Sequence, residues 1–169
     1  HPEGGGRAHR GGQATPRNVT RKTPAEAAQA WPKPKPDYSA PAGASYTAEE
    51  VLVKTAGGFT LAGTLTLPNG GSRRKPVGAA VSITGSGQED RDSGLGLPGY
   101  APFRQIADSL ARNGIAMLRM DDRGPGSSGG TFKGSNGEDF GEDARAGLDY
   151  LRTRPGKRCG RPAVIGPSG

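Results

Sequence analysis

The sequence predicts an α/β domain in which an antiparallel hairpin leads into a parallel sheet with helices on its faces. Three observations carry that prediction. Two segments of period-two alternation flank a Gly57-Gly58 turn, as in a hairpin. Short apolar runs at 77–84 and 115–120 have the length of buried strands rather than of helices. Each run precedes apolar residues at helical spacing, and strands alternating with helices build a parallel sheet.

In the first strand Val51, Val53 and Thr55 alternate. In the second, Phe59, Leu61, Gly63, Leu65 and Leu67 share one face until Pro68-Asn69-Gly70-Gly71 ends it. A hairpin of this pattern is expected to keep one face in solvent. The run from Val77 to Thr84 empties into a glycine-rich loop over 85–99. Pro102 suits the first turn of a helix, where the N–H it lacks would be unpaired anyway. Phe103, Ile106, Ala107 and Leu110 form that helix's apolar stripe, and Asn113-Gly114 stops it. Ile115 to Met120 is another buried strand, closed by Asp121-Asp122-Arg123-Gly124. Ser135 and Glu138 have the spacing of a capping box. Phe140, Ala144, Leu148 and Leu151 then line one side of a second helix, which Pro155-Gly156 closes. Ala163-Val164-Ile165 begins a last short strand, and the sequence ends on Gly166-Pro167-Ser168-Gly169.

Composition divides the chain. Hydrophobic residues other than glycine make up 31% of it, and it holds 30 glycines and 15 prolines. Residues 1–45 hold seven prolines, six glycines and almost no large apolar residues. Such a segment has too little apolar surface to offset the entropy of ordering. Residues 1–45 are therefore expected to be a disordered or linker-like tail, with order beginning near Tyr46 and one domain over 46–169. Trp31-Pro-Lys-Pro-Lys-Pro36 reads as an extended spacer leading into it.

The net charge is +7, of which +4 lies in the tail. Its cations are scattered, with only Trp31 and Tyr38 for aromatic company, so no nucleic-acid partner is expected. A single cysteine, Cys159, excludes an internal disulfide and a multi-cysteine metal site; it reads as a small residue in a loop. No run approaches the ~20 apolar residues that span a bilayer, and no signal peptide is visible. Because the sequence begins at His1 rather than Met, cytoplasmic and exported locations both stay open. Asn18-Val19-Thr20 matches a glycosylation sequon, a tripeptide that arises often by chance.

Functional groups of a parallel sheet gather at the carboxyl ends of its strands, and three such ends carry chemistry here. Thr84-Gly85-Ser86-Gly87 follows the first apolar strand. Acyl transfer needs backbone N–H groups aimed where a carbonyl oxygen becomes an oxyanion, and small residues let a substrate approach that backbone; a plain glycine turn has the same composition. Asp122-Arg123-Gly124-x-Gly126-x-Ser128 ends the second, and reads as a brace for the surrounding loops rather than as a group acting on substrate. Ile165-Gly166-Pro167-Ser168-Gly169 ends the third. A G-x-S-x-G elbow sets a serine on a tight strand-to-helix turn, with glycines where side chains would collide. Two G-x-G-x-x-G matches, Gly94–Gly99 and Gly124–Gly129, do not join a strand directly to a helix, so a nucleotide cofactor is not expected.

In this order the three strand ends become specific. Residues 46–154 resemble the start of bacterial α/β-hydrolases of the EstD-like esterase group, and more distantly serine aminopeptidases and dienelactone hydrolases. The matching segments are Tyr46-Thr-Ala-Glu-Glu-Val51, Leu61-Ala-Gly-Thr-Leu-Thr-Leu-Pro68, Ile83-Thr-Gly-Ser-Gly-Gln-Glu-Asp-Arg-Asp92 and Gly114-Ile-Ala-Met-Leu-Arg-Met-Asp-Asp-Arg-Gly124. Glu138, Asp139, Phe140, Asp143, Ala144, Tyr150, Leu151 and Arg152 continue the match. The resemblance implies the N-terminal part of an α/β-hydrolase fold, ending at the nucleophile elbow. It implies Ser168 as nucleophile, with the backbone N–H groups of Ser86, Gly87 and Gly169 as oxyanion donors. It implies a small-molecule ester as substrate, with neither a cofactor nor a metal. The family's acid and base follow the serine in chain order, so the Asp and His are expected beyond Gly169 and the chain alone is expected to be inactive. Residues 155–169 depart from the family, with Gly156-Lys-Arg-Cys-Gly-Arg-Pro162 in place of a longer acidic loop and Pro167 in place of a His. A peptidase or thioesterase, and a non-catalytic scaffold on the same fold, are the alternatives.

Overall fold

The computed structural model describes residues 23, 36–70, 76–85, 87–94, 97, 99–124, 126–154 and 159–166. The chain divides into two compact units, His1–Pro36 and Asp37–Gly169, and every element below belongs to the second. In chain order these are β1 (Tyr46–Lys54), β2 (Thr60–Pro68), β3 (Val77–Ser82), α1 (Pro102–Arg112), β4 (Ile115–Met120), α2 (Gly137–Thr153) and β5 (Cys159–Ile165).

The strands form one mixed sheet in the order β1-β2-β4-β3-β5. β1 with β2 and β2 with β4 run antiparallel, whereas β3 runs parallel to both β4 and β5. The chain thus moves from β3 to one side and then crosses back over β3 to reach β5. Crossovers of one hand in opposite directions put their helices on opposite faces. The side chains of β4 show this. Ala116, Leu118 and Met120 belong to the core shared with Leu151 of α2, whereas Met117 packs with Phe103 and Ala107 of α1. Gly63 allows β2 to lie close against β4, because a Cβ there would meet the carbonyl oxygen of Arg119 at 2.7 Å.

The run at 77–84 holds β3, the run at 115–120 is β4 and Asn113-Gly114 ends α1, whereas Pro155-Gly156 lies outside the described residues; other details differ. The hairpin has no solvated face on β2, where every residue from Leu61 to Pro68 is buried. β2 is an inner strand, and its Thr64 and Thr66 face Arg119 and Met117 across the pair, under α1 and the loop at 89–93. Outward exposure is left to β1, where Leu52 is 62% exposed. In α1 the buried stripe is Phe103, Ala107 and Ala111, with Ile106 turned outward.

The second helix is capped one residue later than expected. Ser135 Oγ donates back to the Thr131 carbonyl, and Asn136 takes the cap: its Oδ1 accepts from the amides of Glu138 and Asp139, and its own N–H donates to Asp139. The inward stripe of α2 is Asp143, Ala144, Gly147 and Leu151, with Phe140 and Leu148 half-buried. Finally, β5 begins at Cys159 rather than Ala163, so Cys159 lies on a strand, paired with Val77. Pro162 concealed this strand from the sequence reading. It is tolerated because the ladder to β3 is irregular beside it, with a register shift between Val77 and Ala79. Burial pushes the Cys159 thiol pKa up against the pull of Arg154, which disfavours the thiolate form.

The second unit begins at Asp37, ahead of Tyr46. Arg104 of α1 donates to the carbonyls of Asp37 and Ser39, and the Tyr38 ring lies against Arg91. Most of the expected tail, residues 1–22 and 24–35, lies outside the described residues.

Candidate active site

β3 sends its chain to the face of α1, while β4 sends its chain to the face of α2. Divergence of neighbouring loops opens a crevice at the carboxyl ends of strands, the place where α/β sheets hold ligands. A cavity of about 330 Å³ occupies it. Leu61, Met120, Phe132, Phe140 and Ala144 give it apolar walls, and Thr84, Gly85, Gly87 and Asp122 give it a polar rim. Its volume is that of a small ligand pocket.

Of the residues implied as the catalytic group, Gly87 alone is described. It borders this cavity, is exposed, and has φ +104°, a left-handed backbone suited to glycine. Ser86, Pro167, Ser168 and Gly169 lie outside the described residues. The strands that lead to them are paired to their ends. Ser82 is the register partner of Ile165, and the Ile83 N–H donates to the Ile165 carbonyl at 2.8 Å. The loop at 84–87 and the chain at Gly166 therefore leave adjacent parallel strands at the same edge of the sheet. A second cavity of about 380 Å³, lined by Gly85, Ser93, Tyr100, Phe103, Ile106 and Gly166, opens between them and α1.

The brace expected from Asp122-Arg123 is built from both residues. Asp122 Oδ1 accepts from Thr84 Oγ1 at 2.6 Å, and Oδ2 accepts from the Glu89 N–H at 2.7 Å. Burial raises the Asp122 pKa, against the hydrogen bond from Thr84. Arg123 reaches the other way, forking onto Asp143 at 2.8 and 3.0 Å and donating to the Asp139 carboxylate at 2.7 Å. Its guanidinium also lies 5.3 Å from the Phe59 ring centre and 5.8 Å from that of Phe140. Gly124 and Gly129, the ends of one glycine match, are joined by a backbone hydrogen bond, and Gly129 N–H donates to Thr60. That glycine run is a turn tied to β2, with no helix N-terminus at its end.

Two buried arginines escaped the sequence reading. Arg91 is 3% exposed and forks onto Asp121 at 3.0 and 2.8 Å while its backbone N–H donates to the same carboxylate at 2.9 Å. Its remaining nitrogen donates to Glu50 and to Thr64 Oγ1. Burial opposes the Arg91 charge, but Asp121 and Glu50 outweigh it and raise the pKa. Arg119, 2% exposed, pairs with Asp92. Burial lowers the Arg119 pKa and raises that of Asp92, each opposed by the partner's charge. The sequence held a signal for Arg119. A charged residue inside the apolar run Ile115–Met120 must be paired if the strand is buried, and Asp-Arg-Asp at 90–92 supplies the opposite charge.

Among the described residues, no group of three or more His, Cys, Asp and Glu side chains is arranged to hold a metal ion, and no helix is long and apolar enough to cross a membrane.

No family model matches the chain, and no curated protein does. Solved structures do match. A hypothetical protein from Pseudomonas aeruginosa shares 26% identity over 77% of this chain and 38% of its own, with a TM-score of 0.59. The α/β-hydrolase GrgF from Penicillium sp. sh18 shares 22% identity over 70% of this chain and 37% of its own, with a TM-score of 0.56. The esterase Pf2001 from Pyrococcus furiosus shares 21% identity over 94% of this chain and 48% of its own, with a TM-score of 0.55. The chain thus spans less than half the length of each. Its hairpin, three parallel strands and two flanking helices are part of an α/β-hydrolase fold.

Proposed function

From that fold, we propose that the whole protein is a serine hydrolase acting on carboxylic esters, with Ser168 as nucleophile. In this reading Ser168 Oγ bonds to the ester carbonyl carbon, and its proton passes to a base. The backbone N–H groups of Ser86, Gly87 and Gly169 stabilise the oxyanion. Collapse of the intermediate breaks the bond to the alcohol, which leaves with the proton. Water then hydrolyses the acyl-enzyme. Residues 46–169 contain no histidine, so the base and the acid that orients it belong to the remainder of the whole protein. No metal or cofactor takes part.

One observation carries the reading. The Ile83–Ile165 hydrogen bond keeps β3 and β5 paired up to the residues where the Thr84-Gly85-Ser86-Gly87 and Gly166-Pro167-Ser168-Gly169 segments depart. A nucleophile and its oxyanion donors must converge on one carbonyl group, and neighbouring parallel strands deliver both to one edge. The apolar walls of the 330 Å³ cavity suit a compact apolar acyl or alcohol group.

The test uses the whole protein and its Ser168→Ala variant, assayed with a short-chain nitrophenyl ester and probed with a fluorophosphonate. Labelling and turnover in the whole protein, both lost on substitution, are expected. Full activity without Ser168 would remove it as nucleophile. A folded protein that never reacts would leave the scaffold reading.

A further inference from the structure

We propose that residues 37–39 are a strap that positions the loop at 84–93, with Tyr38 and Arg91 as positioning residues; the catalytic part of this proposal rests on the ester-hydrolase reading above. The strap is fixed on both sides of Tyr38. Arg104 of α1 donates to the carbonyl of Asp37 and, at 2.9 Å, to that of Ser39. The Ser39 N–H donates to Asp37 Oδ1 at 2.9 Å, which closes the turn. Between these anchors the Tyr38 ring lies 4.1 Å from the guanidinium carbon of Arg91. A cation over a ring face is attracted by the ring quadrupole, and more strongly once water is excluded.

Arg91 in turn is the far anchor of the loop. Its side chain and backbone N–H both bind Asp121, and the next residue, Asp122, binds Thr84 and Glu89. Two adjacent carboxylates at the end of β4 thus hold the loop at Thr84, Glu89 and Arg91, and Gly85 to Gln88 span the interval between the first two ties. Oxyanion donors need fixed direction, because catalysis by preorganised dipoles fails when they reorient. Tyr38 covers the one tie that is a long, rotatable side chain, and so restricts its alternatives. Burial pushes the Tyr38 phenol up to about 12, consistent with a ring seated in the protein. The contact is made by the ring face, so phenylalanine preserves it.

The experiment compares Tyr38→Ala and Tyr38→Phe in the whole protein. Amide hydrogen exchange, read in a Ser168→Ala background, reports the loop without any need for turnover. In Tyr38→Ala, exchange in peptides covering 84–93 is expected to rise about tenfold while peptides of α2 stay unchanged. Tyr38→Phe is expected to match the parent. With Ser168 present, Tyr38→Ala is expected to lower kcat about tenfold at nearly constant KM, and Tyr38→Phe to restore it. Arg104→Ala frees the same strap and should reproduce the local exchange, which keeps the test open if Tyr38→Ala does not fold. Unchanged exchange at 84–93, or a rise spread evenly into α2, would overturn the strap. If the loop loosens as expected but the parent protein turns over no ester, the strap stands as a structural tie and the ester-hydrolase reading falls. If the parent is active and Tyr38→Ala leaves kcat and exchange unchanged, the strap alone falls.

Discussion

The amide of Ile83 donates to the carbonyl of Ile165 across 2.8 Å, immediately past the last register pair of β3 and β5. The two loops that the proposed function assigns to acyl transfer leave from this bond, and their proposed convergence can be tested directly. In a crystal structure of the whole protein carrying a phosphonate on Ser168, the phosphoryl oxygen is expected ~3 Å from the amide of Ser86 or Gly87, and at similar distance from that of Gly169. A phosphoryl oxygen pointing away from the 84–87 loop would remove the oxyanion assignment.

Gly87 supplies a second prediction. Its φ of +104° strains any residue with a Cβ, although the space beside it is open. Gly114 has φ +80° and equally open space, but it precedes β4 at the amino end of the parallel strands. Both alanine variants are expected to lose roughly 1–2 kcal/mol of stability, the cost of left-handed backbone. Only Gly87→Ala should also lower kcat, by about tenfold or more, as for a displaced oxyanion donor. Equal kcat in the two variants would remove the 87 amide from the catalytic group.

Parallel strands and helix stops were legible because their signals are local: apolar runs at 77–84 and 115–120, and Asn113-Gly114. Where the sequence misled, a competing interaction decided between local options. Ser135 and Asn136 are equally good caps, and Ser135 is diverted by the Thr131 carbonyl. The polar face of β2 looked solvated because nothing in 60–68 reveals that Arg91, twenty-odd residues later, donates to Thr64. The composition of 1–45 averages away Tyr38, a single anchor whose partner lies in another loop. The candidate cavity was legible as a set of strand ends, whereas the proposed nucleophile lies outside the described residues. Of the arginine ties around it, the Arg123 brace was expected, whereas those of Arg91 to Asp121, Glu50 and Thr64 were not, because they join residues distant in the chain.

The Arg119–Asp92 pair yields a third prediction. Both side chains are buried, and Arg119 Nε has no hydrogen-bond partner among the described residues. Removing one partner leaves a buried charge, so Arg119→Met is expected to cost about 3–5 kcal/mol. Combining it with Asp92→Asn should cost less than the sum of the single variants, by ~1–3 kcal/mol in a denaturation cycle. Simple additivity would show that the pair does not couple.

Acid stability tests the α2 cap. The Asn136 N–H first, and Arg123 second, hold the Asp139 carboxyl below its ordinary value of 3.8. A depressed carboxyl stabilises the fold above its unfolded pKa, and that contribution is lost as pH falls through the folded value. The stability advantage of the native protein over Asp139→Asn should therefore be full near neutrality and shrink below 3.8. Urea midpoints measured across that range check it; an advantage that grew in acid would contradict the sign.

The start of the compact unit gives the last prediction. Composition puts the end of the tail at residue 45, whereas Asp37, Tyr38 and Ser39 make contacts with Arg104 and Arg91. Two truncations of the whole protein separate these boundaries. Deleting residues 1–36 removes none of those contacts and is expected to leave the thermal midpoint within about 2 °C of the parent, a shift below ~1 kcal/mol for a protein of this size class. Deleting residues 1–45 removes a cation–π contact, the two acceptors of Arg104 and the cover over Arg91. The cation–π contact contributes about 0.5–2 kcal/mol, and a lost hydrogen bond adds roughly 0.5–1.5 kcal/mol. The longer truncation should therefore melt several degrees lower and exchange faster at 84–93. Equal midpoints for the two would return the boundary to residue 45. A loss already complete on deleting 1–36 would move it earlier than Asp37.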